Sequence, residues 1–521
     1  MNLLNRKTKT VEKSAIIIGF FTLLSSLLGI LRNSLLASYL GAGRDIDIYY
    51  ASFRIPDFIF NIFIMGAITA GLIPLFSKYL HTKKEEANDF INSIIYIVLM
   101  LSLVFGIVLS IFAKPVIGLL FKGMDYNAQM MIVQITRVIM LQPIILGLSA
   151  ILGNVLLVYD FVLTFALAPL LYNLGIIFGI VFLYPKMGLI GLGYGVVIGA
   201  IFNLLVKLIP LKLTDVKFGF VPFVKIKKYM NEFMGIVLPR TLSVINIQIF
   251  LFVVNYFASF LSAGKLGIFN LANSFQDLPQ TIFATSIAMA AFPVLSKLFH
   301  QNDKLGVKNL YIKSFNQINF IILLISTGLF VLRYPLIKIL LNYGKFNLMA
   351  INTMSGILEV MSFGLVFSSL LLLNLDTLFV LEDMITPLIA SFVAYGLGSF
   401  LIAKWYTVLD IYGIVLAMVI ANFVYFIIMM VKIISKLDLD VYSIFTKFIK
   451  NLSIAILSGI IGLLVYMKLS SYSYSVINYG IFNILIPSIV ILGVYILLAK
   501  WLKFEEVNDF WKILINKLRR F

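Results

Sequence analysis

Apolar runs of about 20 residues recur from Ser14 to Lys500, and no long polar segment separates them. A helix rises about 1.5 Å per residue, so each run can cross a hydrocarbon core of ~30 Å. The chain of 521 residues is 61% hydrophobic, with a mean hydropathy of +1.04, which leaves no room for a large soluble domain. The spacing predicts about fourteen spans, at 14–40, 52–76, 90–113, 130–152, 161–183, 189–209, 233–258, 267–292, 317–340, 350–374, 386–405, 410–432, 449–469 and 479–500. The first follows Arg6, Lys7, Lys9 and Lys13, as a signal peptide would. It is long, lacks a small-x-small cleavage site and precedes many similar runs, so it reads as an uncleaved span.

An even number of spans puts both termini on one side. Most lysines and arginines sit at the ends and in the even-numbered connections, which places both termini in the cytoplasm. A nucleic-acid binder would carry the net charge of +18 on a solvated face; here alternate loops carry it, and no nucleic-acid partner is expected. The richest connection, from Lys207 to Glu232, includes Lys212, Lys217, Lys225, Lys227 and Lys228, and reads as a topogenic linker facing anionic phospholipid headgroups. The tail KFEEVNDFWKILINKLRRF reads as an amphipathic surface helix. The absence of cysteine excludes disulfides, thiol nucleophiles and cysteine metal sites.

The chain also repeats itself. PLFSKYLH at Pro74–His81 returns as PVLSKLFH at Pro293–His300, SYLGAGR at Ser38 as SFLSAGK at Ser259, and KPVIGLLF at Lys114 as YPLIKILL at Tyr334, all offset by about 220 residues. YDFVLTFALAP at Tyr159 has a looser echo in LEDMITPLIA at Leu381. One offset shared by unrelated loops implies two lobes of six spans, and six is even, so the lobes are parallel repeats about an axis along the membrane normal. The expected fold is an all-α polytopic membrane protein of two six-helix lobes plus two C-terminal helices. Its parts are an N-lobe at 1–210, a basic linker at 211–232, a C-lobe at 233–435, two further spans at 436–502 and a tail at 503–521. The two histidines, His81 and His300, occupy matching positions, which favours a repeated structural role over a metal site.

Charges within this setting mark the candidate site. The stretch Gly29–Asp57 holds Arg32, Asp47, Arg54 and Asp57, and a charge at bilayer depth costs about 2.5–3.5 kcal/mol on the insertion scale, so such groups face a cavity or a partner. Arg137, Arg240, Asp277 and Glu359 complete the set in or beside the spans. Arg240 and Asp277 lie in spans 7 and 8, the counterparts of spans 1 and 2. An arginine fork suits a phosphate-bearing substrate. Against this stand an Arg54–Asp57 pair on one helix, a capping role for Asp47 and a structural role for Arg137. Glu359, alone in span 10, is a candidate for ion coupling or for an arginine partner. Pro56 and Pro279 would kink the second span of each lobe, as hinges or through packing alone. No G-x-S-x-G, Walker, HExxH or cysteine cluster points to an enzyme, and no metal or other cofactor is expected. GLGYG at Gly191–Gly195, with Gly199, fits close helix packing better than nucleotide binding.

The segments LLGILRNSLLASYLGAGRDIDIYYASFRIPDFIFNIFIMGAITAGLIPLFSKY, ITRVIMLQP, ILGNVL, FALAPLLYNLGII, LPRTLSVINIQI, FNLANSFQDLP, NYGKF and LEDMITP stand in order along nearly the whole chain. In this they resemble the MurJ (MviN-like) lipid II flippases of the multidrug/oligosaccharidyl-lipid/polysaccharide exporter superfamily. The resemblance implies transport of undecaprenyl-diphosphate-linked peptidoglycan precursor across the bacterial cytoplasmic membrane. It implies a cationic cavity for the diphosphate, a groove for the isoprenoid tail in the last two spans, and a membrane potential or cation gradient as driving force. Arg32 then matches a cavity arginine of span 1, Asp47 an acid at the start of span 2, and Arg54 a basic position in span 2. The family's Arg-Asp at the end of span 1 reads Arg32-Asn33, and Ser26, Phe60, Asn61 and Ser274 stand where basic residues are usual. Two alternatives remain within the superfamily: a flippase for another polyprenyl-diphosphate glycan, and a drug/cation antiporter relying on Asp277 and Glu359. From another class, the chain could be a non-transporting scaffold recruiting cell-wall synthesis proteins through its basic loop.

Overall fold

The structure, a computed structural model, describes residues 11–82, 84–471 and 479–507, without the side chains at 11–16, 63–71, 74, 81, 235–240, 242 and 243. The described residues are mostly helical and contain no strand. Twelve of their helices are long and apolar enough to cross a membrane. The other two expected spans, 52–76 and 233–258, are helical but fall partly on undescribed side chains. Residues 508–521 of the expected amphipathic tail lie outside the described residues.

The chain forms two compact units, Met1–Gly267 and Ile268–Phe521. The first holds α1 (Val11–Leu40), α2 (Arg44–Ser52), α3 (Arg54–Ile59), α4 (Gly66–Thr82), α5 (Lys84–Ile111), α6 (Ala113–Leu120), α7 (Tyr126–Ile139), α8 (Leu141–Val158), α9 (Val162–Phe178), α10 (Tyr184–Met187), α11 (Leu189–Leu211) and α12 (Phe223–Ala258). α9 and α11 cross closely: a Cβ added to Gly175 would stand 2.2 Å from Cα of Gly199. One added to Gly195 would meet Cα of Gly179 at 2.5 Å, so the GLGYG stretch brings two backbones together, as small residues do within membranes. α12 packs on α4 and α5, and Phe76, Phe90, Tyr229 and Phe233 share one buried cluster there.

The basic connection is strapped down rather than free. Asn88 accepts from the Lys217 amide, Asn92 bonds the Lys217 carbonyl and the Gly219 amide, and the pairs Lys84–Asp215 (2.7 Å) and Lys225–Asp89 (2.6 Å) pin it to the start of α5. Lys207, which opens this connection in the sequence, is buried in α11. Its Nζ donates to Ser149 O (2.9 Å), Ser149 Oγ (2.8 Å) and Asn203 Oδ1 (3.2 Å), so all three ammonium protons find neutral acceptors.

The second unit holds α13 (Lys265–Pro279, which opens at the end of the first), α14 (Ser286–His300), α15 (Lys304–Leu341), α16 (Leu348–Val380), α17 (Ile385–Trp405), α18 (Asp410–Leu437), α19 (Val441–Ser470) and α20 (Ile486–Trp501). α19 and α20 pack on each other and on α15, where the Tyr495 hydroxyl reaches the Phe320 carbonyl at 2.8 Å.

Backbone irregularities repeat at the sequence offset. A π-helical turn at Phe60–Met65, shortly after Pro56, returns at Gln280–Thr285, directly after Pro279. The bend expected at each proline is therefore accompanied by a widened turn, a common partner of helix kinks. Asp125 caps α7 and Asn347 caps α16 in the same way, each accepting an amide three residues on. Asp160 and Glu382, 222 residues apart, both take left-handed φ angles, of 67° and 57°.

Candidate functional site

The polar residues of Gly29–Asp57 occupy α1, α2 and α3. Near the end of α1, Arg32 is half-buried and turns toward α9. Its Nη1 donates to Asn173 Oδ1 at 3.0 Å, and its Nε and Nη2 donate to Asn33 Oδ1 at 3.2 and 3.0 Å. Asn173 is itself fixed by donating to the carbonyl and hydroxyl of Ser25. Amide oxygens therefore orient this guanidinium, and none of these partners cancels its charge.

Arg54 opens α3. Its Nη2 donates to Gln248 Oε1 at 2.6 Å, and its guanidinium lies 5.6 Å from the centre of the Phe252 ring. Its Nε is buried with no hydrogen-bond partner. Asp57 stands one turn further along and acts on it electrostatically, but the direct bond of Arg54 goes to α12.

Asp47, 1% exposed, is the most buried of the four. Its Oδ2 accepts the Gly264 amide at 2.7 Å, its Oδ1 accepts the Gly267 amide at 2.8 Å, and Arg44 Nη1 lies 3.4 Å away. The carboxylate thus takes free amides at the opening of a helix distant in sequence, the geometry of a side-chain cap. Gly264 has φ +92°, and a Cβ on it would stand 1.9 Å from the Ala42 carbonyl oxygen, so only glycine fits.

The other candidates are dispersed. The Arg240 side chain lies outside the described residues, as does that of His81. Arg137 is exposed and donates from Nε to the Ser110 carbonyl at 3.1 Å, tying α7 to α5. In the second unit, Asp277 is exposed and accepts from Asn273 Nδ2 at 3.0 Å. Glu359 pairs with Arg333 at 2.8 Å, the arginine-partner alternative of its sequence reading. Asn173, Gln248, Lys207 and Arg333 were not among the sequence candidates. Asn173 and Gln248 lie inside FALAPLLYNLGII and LPRTLSVINIQI, but their neutral amides carry no warning of the arginines they orient.

The lipid II flippase MurJ family model matches residues 36–486. The chain is 28% identical over 367 residues to a probable lipid II flippase MurJ of Buchnera aphidicola, covering 68% of this chain and 70% of that one. It is 24% identical over 506 residues to a probable lipid II flippase MurJ of Thermotoga maritima, covering 95% and 98%. Among solved structures, a lipid II flippase MurJ in an inward closed conformation superposes with a TM-score of 0.75 at 22% identity, covering 96% of this chain and all of that one. A multidrug-resistance transporter of the MATE family, inward-facing, superposes at 0.66 with 18% identity over 81% and 98%. The match to the family model runs from inside the first span to the head of the last, and the chain belongs to the lipid II flippase MurJ family.

Proposed function

We propose that this chain carries lipid II, an undecaprenyl-diphosphate-linked peptidoglycan precursor, from the inner to the outer leaflet of the bacterial cytoplasmic membrane. Two lobes rock around a cationic cavity, and both termini lie in the cytoplasm. The observation that carries this reading is Arg32, whose guanidinium is oriented by Asn33 and Asn173 without being neutralised by them. Arg54 adds a second cation with a neutral partner and an unused Nε. A diphosphate can take the free N–H groups of both in charge-assisted bonds. Asp57 tempers the local field, and Arg240 and Asp277 are the contributions of spans 7 and 8. The last two spans, α19 and α20, take the isoprenoid tail.

A membrane potential supplies the driving force: an inside-negative potential of 100 mV favours outward movement of each negative charge by ~2.3 kcal/mol. An antiporter relying on Glu359 is less well supported, because Arg333 already occupies that carboxylate. The test is complementation of cells depleted of their own flippase, scoring lipid II at the outer leaflet. Rescue by the wild-type chain and loss of rescue with Arg32→Ala at equal expression are expected. A well-expressed wild-type chain that fails to rescue rejects the function.

A further inference from the structure

Three helix ends of the second unit meet at one level. These are the last turns of α15, the last turns of α19, and the helical residues that lead into α20 from Tyr479. Lys338, on α15, holds its Nζ 4.6 Å from the centre of the Tyr479 ring and 5.8 Å from that of Tyr334. Tyr466, on α19, lies near enough to Tyr479 for the two phenols to act on each other electrostatically. Deeper along α15, Arg333 lies over the Phe330 ring at 4.7 Å and is paired with Glu359 at 2.8 Å.

The two cations differ in what they have left to offer. The charge of Arg333 is met by Glu359. Among the described residues, no carboxylate lies within ion-pair distance of Lys338, and its neighbours are aromatic faces and phenol groups. A lysine at a membrane boundary usually snorkels freely toward the headgroups. Here the rings of two tyrosines flank the ammonium. The cluster carries one uncompensated positive charge, which matches the single negative charge of a phosphodiester.

We propose that Lys338, Tyr334, Tyr466 and Tyr479 form a binding site for the phosphodiester headgroup of an anionic phospholipid, joining α15 to the α19–α20 pair through a bound lipid. The ammonium supplies the charge-assisted contact, the phenol groups donate to the remaining phosphate oxygens, and the rings sit at headgroup depth. The proposal rests on the chain being a membrane protein and does not depend on the transport of lipid II.

The test is native mass spectrometry of the full chain released from nanodiscs containing phosphatidylglycerol and phosphatidylcholine in equal parts. Wild-type protein should retain phosphatidylglycerol selectively. Lys338→Gln should retain it about tenfold less, as for loss of one charge-assisted contact, while Lys338→Arg keeps it. Lys404→Gln, which removes a lysine lying 6.0 Å over the Phe400 ring in the same unit, should leave retention unchanged. If Lys338→Gln does not fold, a rise in wild-type melting temperature with phosphatidylglycerol but not phosphatidylcholine, weakened in Tyr479→Phe, serves the same purpose. Equal retention of both lipids by the wild type, equal retention of phosphatidylglycerol by wild type and Lys338→Gln, or displacement of bound phosphatidylglycerol by equimolar undecaprenyl diphosphate would each overturn the proposal.

Discussion

The Gly264 amide nitrogen stands 2.7 Å from Oδ2 of Asp47, across 217 residues of chain. This single carboxylate fastens the start of α2 to the turn that follows α12, with a second bond to Gly267. A neutral amide at position 47 would turn an N–H toward one of these two donors. Asp47→Asn is therefore expected to lose about 1–3 kcal/mol of stability, the cost of a buried unsatisfied group. Thermal unfolding in detergent, with lipid II flipping alongside, measures it. Gly264→Ala should be more damaging, because φ +92° and the Ala42 carbonyl both exclude a side chain.

Arg32 separates a charge requirement from a geometric one. Arg32→Ala should abolish flipping with little loss of folded protein, since only two amide partners are left free. Arg32→Lys keeps the charge but loses the fork, and partial activity is expected. Outer-leaflet lipid II at matched expression distinguishes the two variants. Full activity of Arg32→Ala would remove the diphosphate role.

Gln248 sets the availability of Arg54. Replacing it with glutamate should convert a neutral hydrogen bond into an ion pair between α3 and α12, raising the melting temperature while reducing transport. Gln248→Ala leaves the Arg54 guanidinium short of a partner and should cost about 1–3 kcal/mol. A Gln248→Glu variant that is both more stable and fully active would show that Arg54 need not be free.

Lys207 offers a test of buried charge. Ser149 and Asn203 already bond to each other at 2.6 Å, so Lys207→Met leaves them paired in an apolar setting. Its stability should lie within about 1 kcal/mol of wild type or above it, as when buried ionic groups give way to apolar ones of similar volume. Lys207→Ala should lose about 2–5 kcal/mol through the cavity it leaves. Chemical denaturation of the two variants compares them directly.

Glu232 gives the contact between α4 and α12 a pH dependence. The Tyr79 hydroxyl and the Lys78 ammonium, which lies 2.9 Å away, hold its carboxyl below the usual carboxylate range. A depressed folded pKa contributes stability above the unfolded value, which is ~4.3 for glutamate, and that contribution is lost as pH falls through the folded value. Hydrogen exchange at the end of α4 should therefore rise below about pH 4, and Glu232→Gln should flatten that rise.

The repeat was legible because short loop segments carry it in residue types, and about the same offset separates the π turns at 60–65 and 280–285. The arginines were legible because ionisable groups are conspicuous in apolar runs. Their partners were not. Asp47 is held by backbone amides, which any sequence supplies, and Glu359 meets Arg333 on another helix, 26 residues away. Lys207 followed an apolar run directly and so read as the first charge of a solvated linker, although helical phase turns it inward onto α8. Pattern reveals which groups need company; only packing decides which neighbour supplies it.

The π turns at 60–65 and 280–285 bear on which way the helices beyond them face. An extra residue inserted into one helical turn shifts the phase of everything beyond it by about 100°. A face of α4 or α14 extrapolated from the helix before its π turn would therefore point about a quarter turn away from where the side chains stand.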